Sequence, residues 1–358
     1  MDTATLKEIT GRFGIDTAAG DIRPLGDGLI NDTYFVEPGY VLQRINHNIF
    51  TDVDGLQRNI GLVTGHIRRK LAAKGVTDID RRVLRFREAD NGKTYVEAAG
   101  GFWRVSDYIK RSETKSEVNE LSARQAGEAF GDFQAMLVDL GGNLIETIPD
   151  FHNMELRLRQ LREAVAADRA GRLSQVGDLV SEIEAFASDM CLAERLHREG
   201  TLPKRICHCD TKVSNMLFDP SGEPLCVIDL DTVMPSFVFS DFGDFLRTAA
   251  NTAAEDEPDT DKIGFDMKVF KAFATGYLGA AGSFLTPVER DNLPYAVTLF
   301  PYMQAVRFLT DYINGDTYYK TSYREHNLVR ARAQWRYFQL TLEAKDEMSA
   351  FIAGLCRE

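Results

Sequence analysis

Between Arg205 and Asp231 the chain carries short strand-like runs inside a region that otherwise reads as helix. Cys207–His208, Met216–Phe218 and Leu225–Ile228 are apolar and brief, and the DPSGEP stretch (219–224) before Ile228 has turn chemistry. The flanks limit the fold further. Upstream, Thr33–Glu37 and Tyr40–Ile45 read as strands joined by a Pro38–Gly39 turn, with further strand signals at RRVLRFRE, KTYVEAA and GFWRVSDYI. Between them, residues 56–75 place Leu56, Ile60, Val63, Ile67 and Leu71 at helical steps of three and four. Beyond residue 115, SEVNELSARQAGEAFGDFQAML sets Leu121, Ala126, Ala129, Phe130, Phe133 and Met136 on one helix face. Helices are expected again at Leu156–Ala167, Val180–Leu196, Lys268–Leu278, Leu293–Tyr312 and Leu328–Cys356. The fold class expected is α+β: a small β-rich lobe over 1–110 and a larger, mainly helical lobe over 111–358 with an embedded hairpin.

That hairpin gathers polar groups. If 216–218 and 225–228 pair over the turn, Asn215 enters one strand and Asp229 leaves the other, so both stand at the same end. An amide oxygen and a carboxylate are hard donors suited to one Mg²⁺. Asp210, five residues before Asn215, adds an oxygen outside the metal shell. Phosphoryl transfer calls for this set: metal ligands that neutralise phosphate charge, and a separate carboxylate to accept a hydroxyl proton. The bland alternative is a capped turn with solvated acids.

Composition excludes several classes. A net charge of −12 over 358 residues disfavours a nucleic-acid partner. No run approaches the about 18 consecutive apolar residues of a membrane span, and MDTATLKEITGRFG lacks the pattern of a secretory leader. The cysteines (191, 207, 209, 226 and 356) are odd in number and without framework spacing. A cytoplasmic protein with reduced thiols is expected. Cys207–His208–Cys209 could suggest zinc, but strand alternation would turn His208 away from the two thiols, and no second Cys/His pair completes a tetrahedral site. Buried thiols beside a structural histidine are the expectation.

The motifs run in order along nearly the whole chain: GDGLIN (26–31), YVLQRIN (40–46), WRV (103–105), FGDFQ (130–134), HCDTKVSN (208–215), IDLDTVMP (228–235), DFGD (241–244), RFLTDY (307–312) and EHNLVR (325–330). In this the chain resembles the aminoglycoside phosphotransferase-like kinases of small molecules, relatives of the protein kinases, and within them the N-acetylhexosamine 1-kinases. The resemblance implies a bilobal protein-kinase-like fold, with nucleotide bound by 1–110 and the catalytic loop, metal and sugar-acceptor site in 111–358. It implies ATP and Mg²⁺ as cofactors, and Asp210 as the base for the anomeric hydroxyl of an N-acetylhexosamine. Asn215 and Asp229 would hold Mg²⁺, with Asp231 a second ligand or a hydrogen-bond partner of the loop. Arg307 and Tyr318 fall where the family contacts sugar.

On the nucleotide side, Gly26 and Gly28 stand where a Gly-rich turn would cover phosphates, although a plain hairpin turn explains them equally; Asn31 and Thr33 could add donors. The third-strand lysine of kinases is replaced by Gln43, and Gly61 stands in the helix in place of a partner glutamate. Adenine would meet the connector at Asp107, Tyr108 and Ile109. Leu29 and Thr248 depart from the residues expected around the sugar. Asp241 is expected to fix backbone N–H groups near the catalytic loop instead of binding metal, with Asp244 starting the following helix as a cap. Arg247 either faces the pocket or pairs with one of these acids. The alternatives are a kinase of another small hydroxyl compound (aminoglycoside, choline, homoserine or methylthioribose) and a catalytically silent nucleotide-binding module.

Overall fold

Where apolar and polar residues alternate, the first third pairs into an antiparallel sheet. Its strands are β1 (Ile22–Pro24), β2 (Asp32–Val36), β3 (Tyr40–Ile45), β4 (Val96–Ala98) and β5 (Gly101–Asp107), in the order β1-β2-β3-β5-β4. The computed structural model describes residues 1–18, 21–25 and 31–355. These divide into two units: 1–115 with 136–149 and 214–234, and 116–135 with 150–213 and 235–358.

In the first unit the register sorts the two sheet faces. Tyr34, Leu42 and Val105 are cross-strand partners on one face. They pack with Leu6 and Ile9 of the helix Thr3–Gly11 and with Phe13, Val96 and Trp103. The next row along, on the opposite face, is Thr33–Gln43–Arg104. The helix Val53–Ala73 begins at Asp52, whose Oδ1 accepts the Gly55 N–H at 2.8 Å, and it buries the expected stripe of Leu56, Ile60, Val63 and Ile67.

RRVLRFRE does not form the expected strand. Ile79–Arg82 is a short helix, and Phe86 makes only an isolated bridge to Ser106. β4 pairs only with Gly101–Trp103. The later half of β5 is met instead by single bonds from the 85–87 segment: Arg87 N–H to Val105 O at 2.8 Å and Asp107 N–H to Arg85 O at 2.9 Å.

The hairpin forms as expected, with Met216–Phe218 paired to Pro224–Val227 and an irregularity between Leu217 and Phe218. Asp219 holds the turn: its Oδ1 accepts the N–H groups of Ser221 (2.8 Å) and Glu223 (3.1 Å). Phe218 and Glu113 exchange backbone bonds of 2.8 and 3.0 Å, tying the hairpin to the chain beyond the connector.

The second unit is helical. Leu293–Asn314 is buried along most of its length, in keeping with a sequence that is apolar all round. Two long helices expected from periodicity are each two. Gly177–Met190 and Leu192–Arg198 break at Cys191; His326–Glu343 and Lys345–Leu355 break at Ala344. Buried Ala187, Met190 and Ala193 carry the apolar rhythm across the first break, so periodicity alone does not reveal it. In Glu120–Leu137 the buried stripe is Ala123, Ala126, Phe130, Phe133 and Leu137; Leu121, expected on that face, is 65% exposed. Gly276 of Met267–Ala281 lets two helix backbones touch, since a Cβ there would lie 2.1 Å from Arg124 O. No helix of the described residues is long and apolar enough to cross a membrane.

Candidate active site

The loop that begins at Cys207 is shaped by one buried acid. Asp241 lies in the first turn of Phe239–Ala249; its Oδ2 accepts the His208 N–H at 2.9 Å and Gln134 Nε2 at 2.7 Å, and its Oδ1 accepts the Cys209 N–H at 2.8 Å. Its carbonyl accepts Thr211 Oγ1 at 2.8 Å. The expected loop-fixing role is the one observed. Burial pushes the Asp241 pKa upward, against the pull of His208 and these donors.

Asp244 is not a cap. The helix begins five residues earlier, and Asp244, inside it, accepts the Thr211 N–H at 3.1 Å and pairs with Arg247 at 3.3 Å. The cap is lost because Asp241 and its neighbours are already helical. Burial raises the Asp244 pKa to about 6, with Arg247 opposing and Asp210 adding to the rise. Arg247 pairs with Asp244 and with Glu255 at 2.7 Å, which settles its partner among the acids. Gly243 sits against Leu293–Asn314, where a Cβ would lie 2.4 Å from Ala296 O.

The alternating strand expected through Cys209 ends at Cys207, and Cys209 adopts a left-handed φ of 62°. Both thiols are buried, and desolvation pushes their pKa values well up. Cys207 Sγ lies 3.3 Å from Phe237 O. His208, also buried, packs edge-on against Phe130 and Phe133 at 5.6 and 5.9 Å. This is packing, with thiols held in the unreactive neutral form.

Asp210 follows, with its N–H directed at His208 Nδ1 (3.3 Å) and its carboxylate 3.1 Å from Lys212 Nζ. Farther along, Ile228 N–H donates to Asn215 O at 2.9 Å, so the hairpin ladder brings Asn215 beside the residue preceding Asp229. Asp229 itself is left-handed, with φ 59° and ψ 58°. Asp231 is buried; Arg104 Nη1 lies 2.5 Å from one oxygen and Asn31 Nδ2 2.7 Å from the other. Of the two roles expected for Asp231, the geometry favours the hydrogen-bond partner. Among the described residues no three His, Cys, Asp or Glu side chains form a metal cage. An amide plus one carboxylate at a hairpin end still suits Mg²⁺, which takes few protein ligands and completes its shell with phosphates and water.

Of the nucleotide-side residues, Gly26, Gly28 and Leu29 lie outside the described residues. Asn31, besides meeting Asp231, accepts the Asn46 N–H at 2.9 Å. Gln43 donates to Thr33 Oγ1 at 3.2 Å and accepts Arg104 Nε at 3.0 Å. In the connector, Asp107 pairs with Arg87 at 2.6 Å, and the Tyr108 N–H is taken by Gly39 O at 3.0 Å. Ile109 is buried, and its carbonyl accepts Ser112 Oγ at 2.6 Å.

On the acceptor side, half-buried Arg307 places its guanidinium 5.6 Å from both the Phe151 and Tyr319 rings. Tyr318 is 67% exposed. The loop that carries it is organised by Asp311, which accepts the N–H groups of Thr317, Tyr318 and Tyr319 at 2.8–2.9 Å and Asn327 Nδ2 at 2.9 Å. RFLTDY and EHNLVR, separate in sequence, thus meet through Asp311 and Asn327. Thr248 bonds to Phe245 O of its own helix. Residue-by-residue reading missed Arg104, Asp311 and Asn327; the signals were an arginine within apolar GFWRV and polar residues inside two quoted motifs.

This fold is the bilobal, protein-kinase-like fold of small-molecule phosphotransferases. It is shared with an aminoglycoside phosphotransferase from Alicyclobacillus acidocaldarius subsp. acidocaldarius DSM 446 (TM-score 0.55, 14% identity, 98% of this chain and 95% of that one). It is shared also with a choline/ethanolamine kinase family protein from Mesorhizobium loti (0.54, 18%, 94% and 92%). A third such structure is spectinomycin phosphotransferase APH(9)-Ia in complex with ADP and spectinomycin (0.57, 12%, 97% and 99%). The model of the phosphotransferase enzyme family, APH, matches residues 21–279, and the chain belongs to that family.

Proposed function

We propose that the protein is an ATP- and Mg²⁺-dependent kinase that phosphorylates the anomeric hydroxyl of an N-acetylhexosamine, giving the sugar 1-phosphate. The observation that carries the phosphotransferase reading is the hairpin with Asn215 and Asp229 at one end; in the other unit, Asp210 stands on a loop pinned by Asp241. Asn215 and Asp229 would hold Mg²⁺, which when bound neutralises phosphate charge as the phosphoryl group transfers. Asp210 orients the acceptor hydroxyl and takes its proton, with Lys212 as counter-ion. Asp241 keeps that loop in place without touching substrate. Adenine would meet the connector backbone at Asp107, Tyr108 and Ile109. Asp231, Asn31, Gln43 and Thr33 bond to one another and to Arg104, so they support the phosphate side from within the lobe.

The sugar is supported by the order of motifs over the whole chain and by the acceptor-lobe residues. Arg307 between two aromatic rings, with Tyr318 exposed on a loop fixed by Asp311, offers donors for hydroxyls and apolar faces for a pyranose ring. ADP release should be Mg²⁺-dependent with N-acetylglucosamine or N-acetylgalactosamine, and ³¹P NMR should locate phosphate on the anomeric oxygen. Product at the 6-position, or no turnover with any hexose, defeats the sugar 1-kinase reading. Turnover with choline or an aminoglycoside alone would keep the phosphotransferase and replace its acceptor.

A further inference from the structure

The third-strand position that lacks a lysine has a cation one strand away. Gln43 of β3 is the cross-strand partner of Arg104 in β5 and of Thr33 in β2, so the three lie in one row. Arg104 is 2% exposed, an unusual setting for a guanidinium. Among the described residues its partners are Asp231, with Nη1 2.5 Å from Oδ1, and Gln43, with Nε 3.0 Å from Oε1. The Phe86 ring lies 5.3 Å from the guanidinium. The second Asp231 oxygen is taken by Asn31, and its backbone carbonyl accepts Thr147 Oγ1 at 2.8 Å.

So enclosed, Arg104 is not placed as a free arm for phosphate. Its charge is committed to Asp231, two residues after a left-handed, non-glycine Asp229. Such a backbone conformation persists only where its surroundings hold it. The bonds converging on Asp231 restrain that turn on one side, as the Ile228 N–H to Asn215 O bond (2.9 Å) does on the other. The pair also offsets the charge of the acid two residues beyond Asp229.

We propose that Arg104 is a positioning residue: through its buried pair with Asp231 it sets Asp229 for Mg²⁺, supplying from β5 the cation that β3 lacks. The inference rests on the reading of Asp229 as a metal ligand. Groups behind a metal's ligands typically change affinity about 10–100-fold when removed.

The test compares binding of two ligands by calorimetry on the full chain: adenosine, which needs no metal, and Mg²⁺ with a non-hydrolysable ATP analogue. Arg104→Gln should weaken the metal–nucleotide complex by about 10–100-fold and leave adenosine within about twofold. Asp231→Asn should do the same, and the double variant should be no worse than either single one, because the two residues act as a unit. Equal weakening of both ligands, or of neither, overturns the inference in favour of a merely structural arginine. Should Arg104→Gln not fold, the double variant buries no unpaired charge and carries the same comparison. Asp229→Asn separates the two readings. Loss of the metal-dependent increment there but not in Arg104→Gln sinks the arginine's role alone. An intact increment in Asp229→Asn sinks the metal assignment and the inference with it.

Discussion

Replacing Asp241 by asparagine removes one acceptor from a site where three donors meet. Oδ2 serves His208 N–H and Gln134 Nε2, and Oδ1 serves Cys209 N–H at 2.8 Å. The best asparagine rotamer keeps its oxygen where two donors converge and turns its NH₂ toward the Cys209 N–H. One charge-assisted bond is lost, about 1.5–3 kcal/mol, and a buried N–H is orphaned, about 1–3 kcal/mol. An uncharged amide escapes the burial cost that raises the Asp241 pKa, which offsets part of this. A net loss of about 2–4 kcal/mol follows, or roughly 5–15 °C in Tm for a unit of this size. Scanning calorimetry measures the loss, and nucleotide titration with Mg²⁺ should give an affinity close to wild type. Loss of metal-dependent nucleotide binding at an unchanged Tm would refute the reasoning and make Asp241 the metal acid.

Asp210→Ala should lower turnover by about 10²–10⁴ while nucleotide binding persists, whereas Asp229→Ala should abolish the metal-dependent part of nucleotide binding in the same titration. Asp244 holds its proton to about pH 6 in the folded protein but only to about 3.9 when unfolded. The folded state therefore binds the extra proton between these values, and this group's contribution to stability falls as pH rises through that window. Relative to Asp244→Asn, wild type should lose about 2–3 kcal/mol between pH 4 and pH 7 in urea titrations; a pH-independent difference would contradict it. Gly243→Ala forces a Cβ to 2.4 Å from Ala296 O and should cost at least about 2 kcal/mol. Gly61→Ala meets nothing within 4 Å and should stabilise its helix by up to about 1 kcal/mol, both read from denaturation midpoints.

Short-range pattern carried much of this protein. Strands β2 and β3, the helix stripe from Leu56 to Ile67 and the hairpin after Asn215 were legible because side-chain period and turn residues act over a few positions. The same locality put Asn215 and Asp229 at one hairpin end, since pairing register follows from the turn between them. The segment RRVLRFRE, expected as a strand, makes only single bonds and one isolated bridge to the later half of β5, a distant partner that its own pattern does not specify. The helix breaks at Cys191 and Ala344 were invisible because burial on both sides preserves the apolar period. Only tertiary structure joined Arg104 to Asp231 across 127 positions, and Asp241 to the loop 32 and 33 residues before it. Composition and spacing named the acids of the candidate site. Which acid is spent on a buried cation and which on backbone N–H groups depends on strand order and helix packing, and those bring together residues that no local pattern relates.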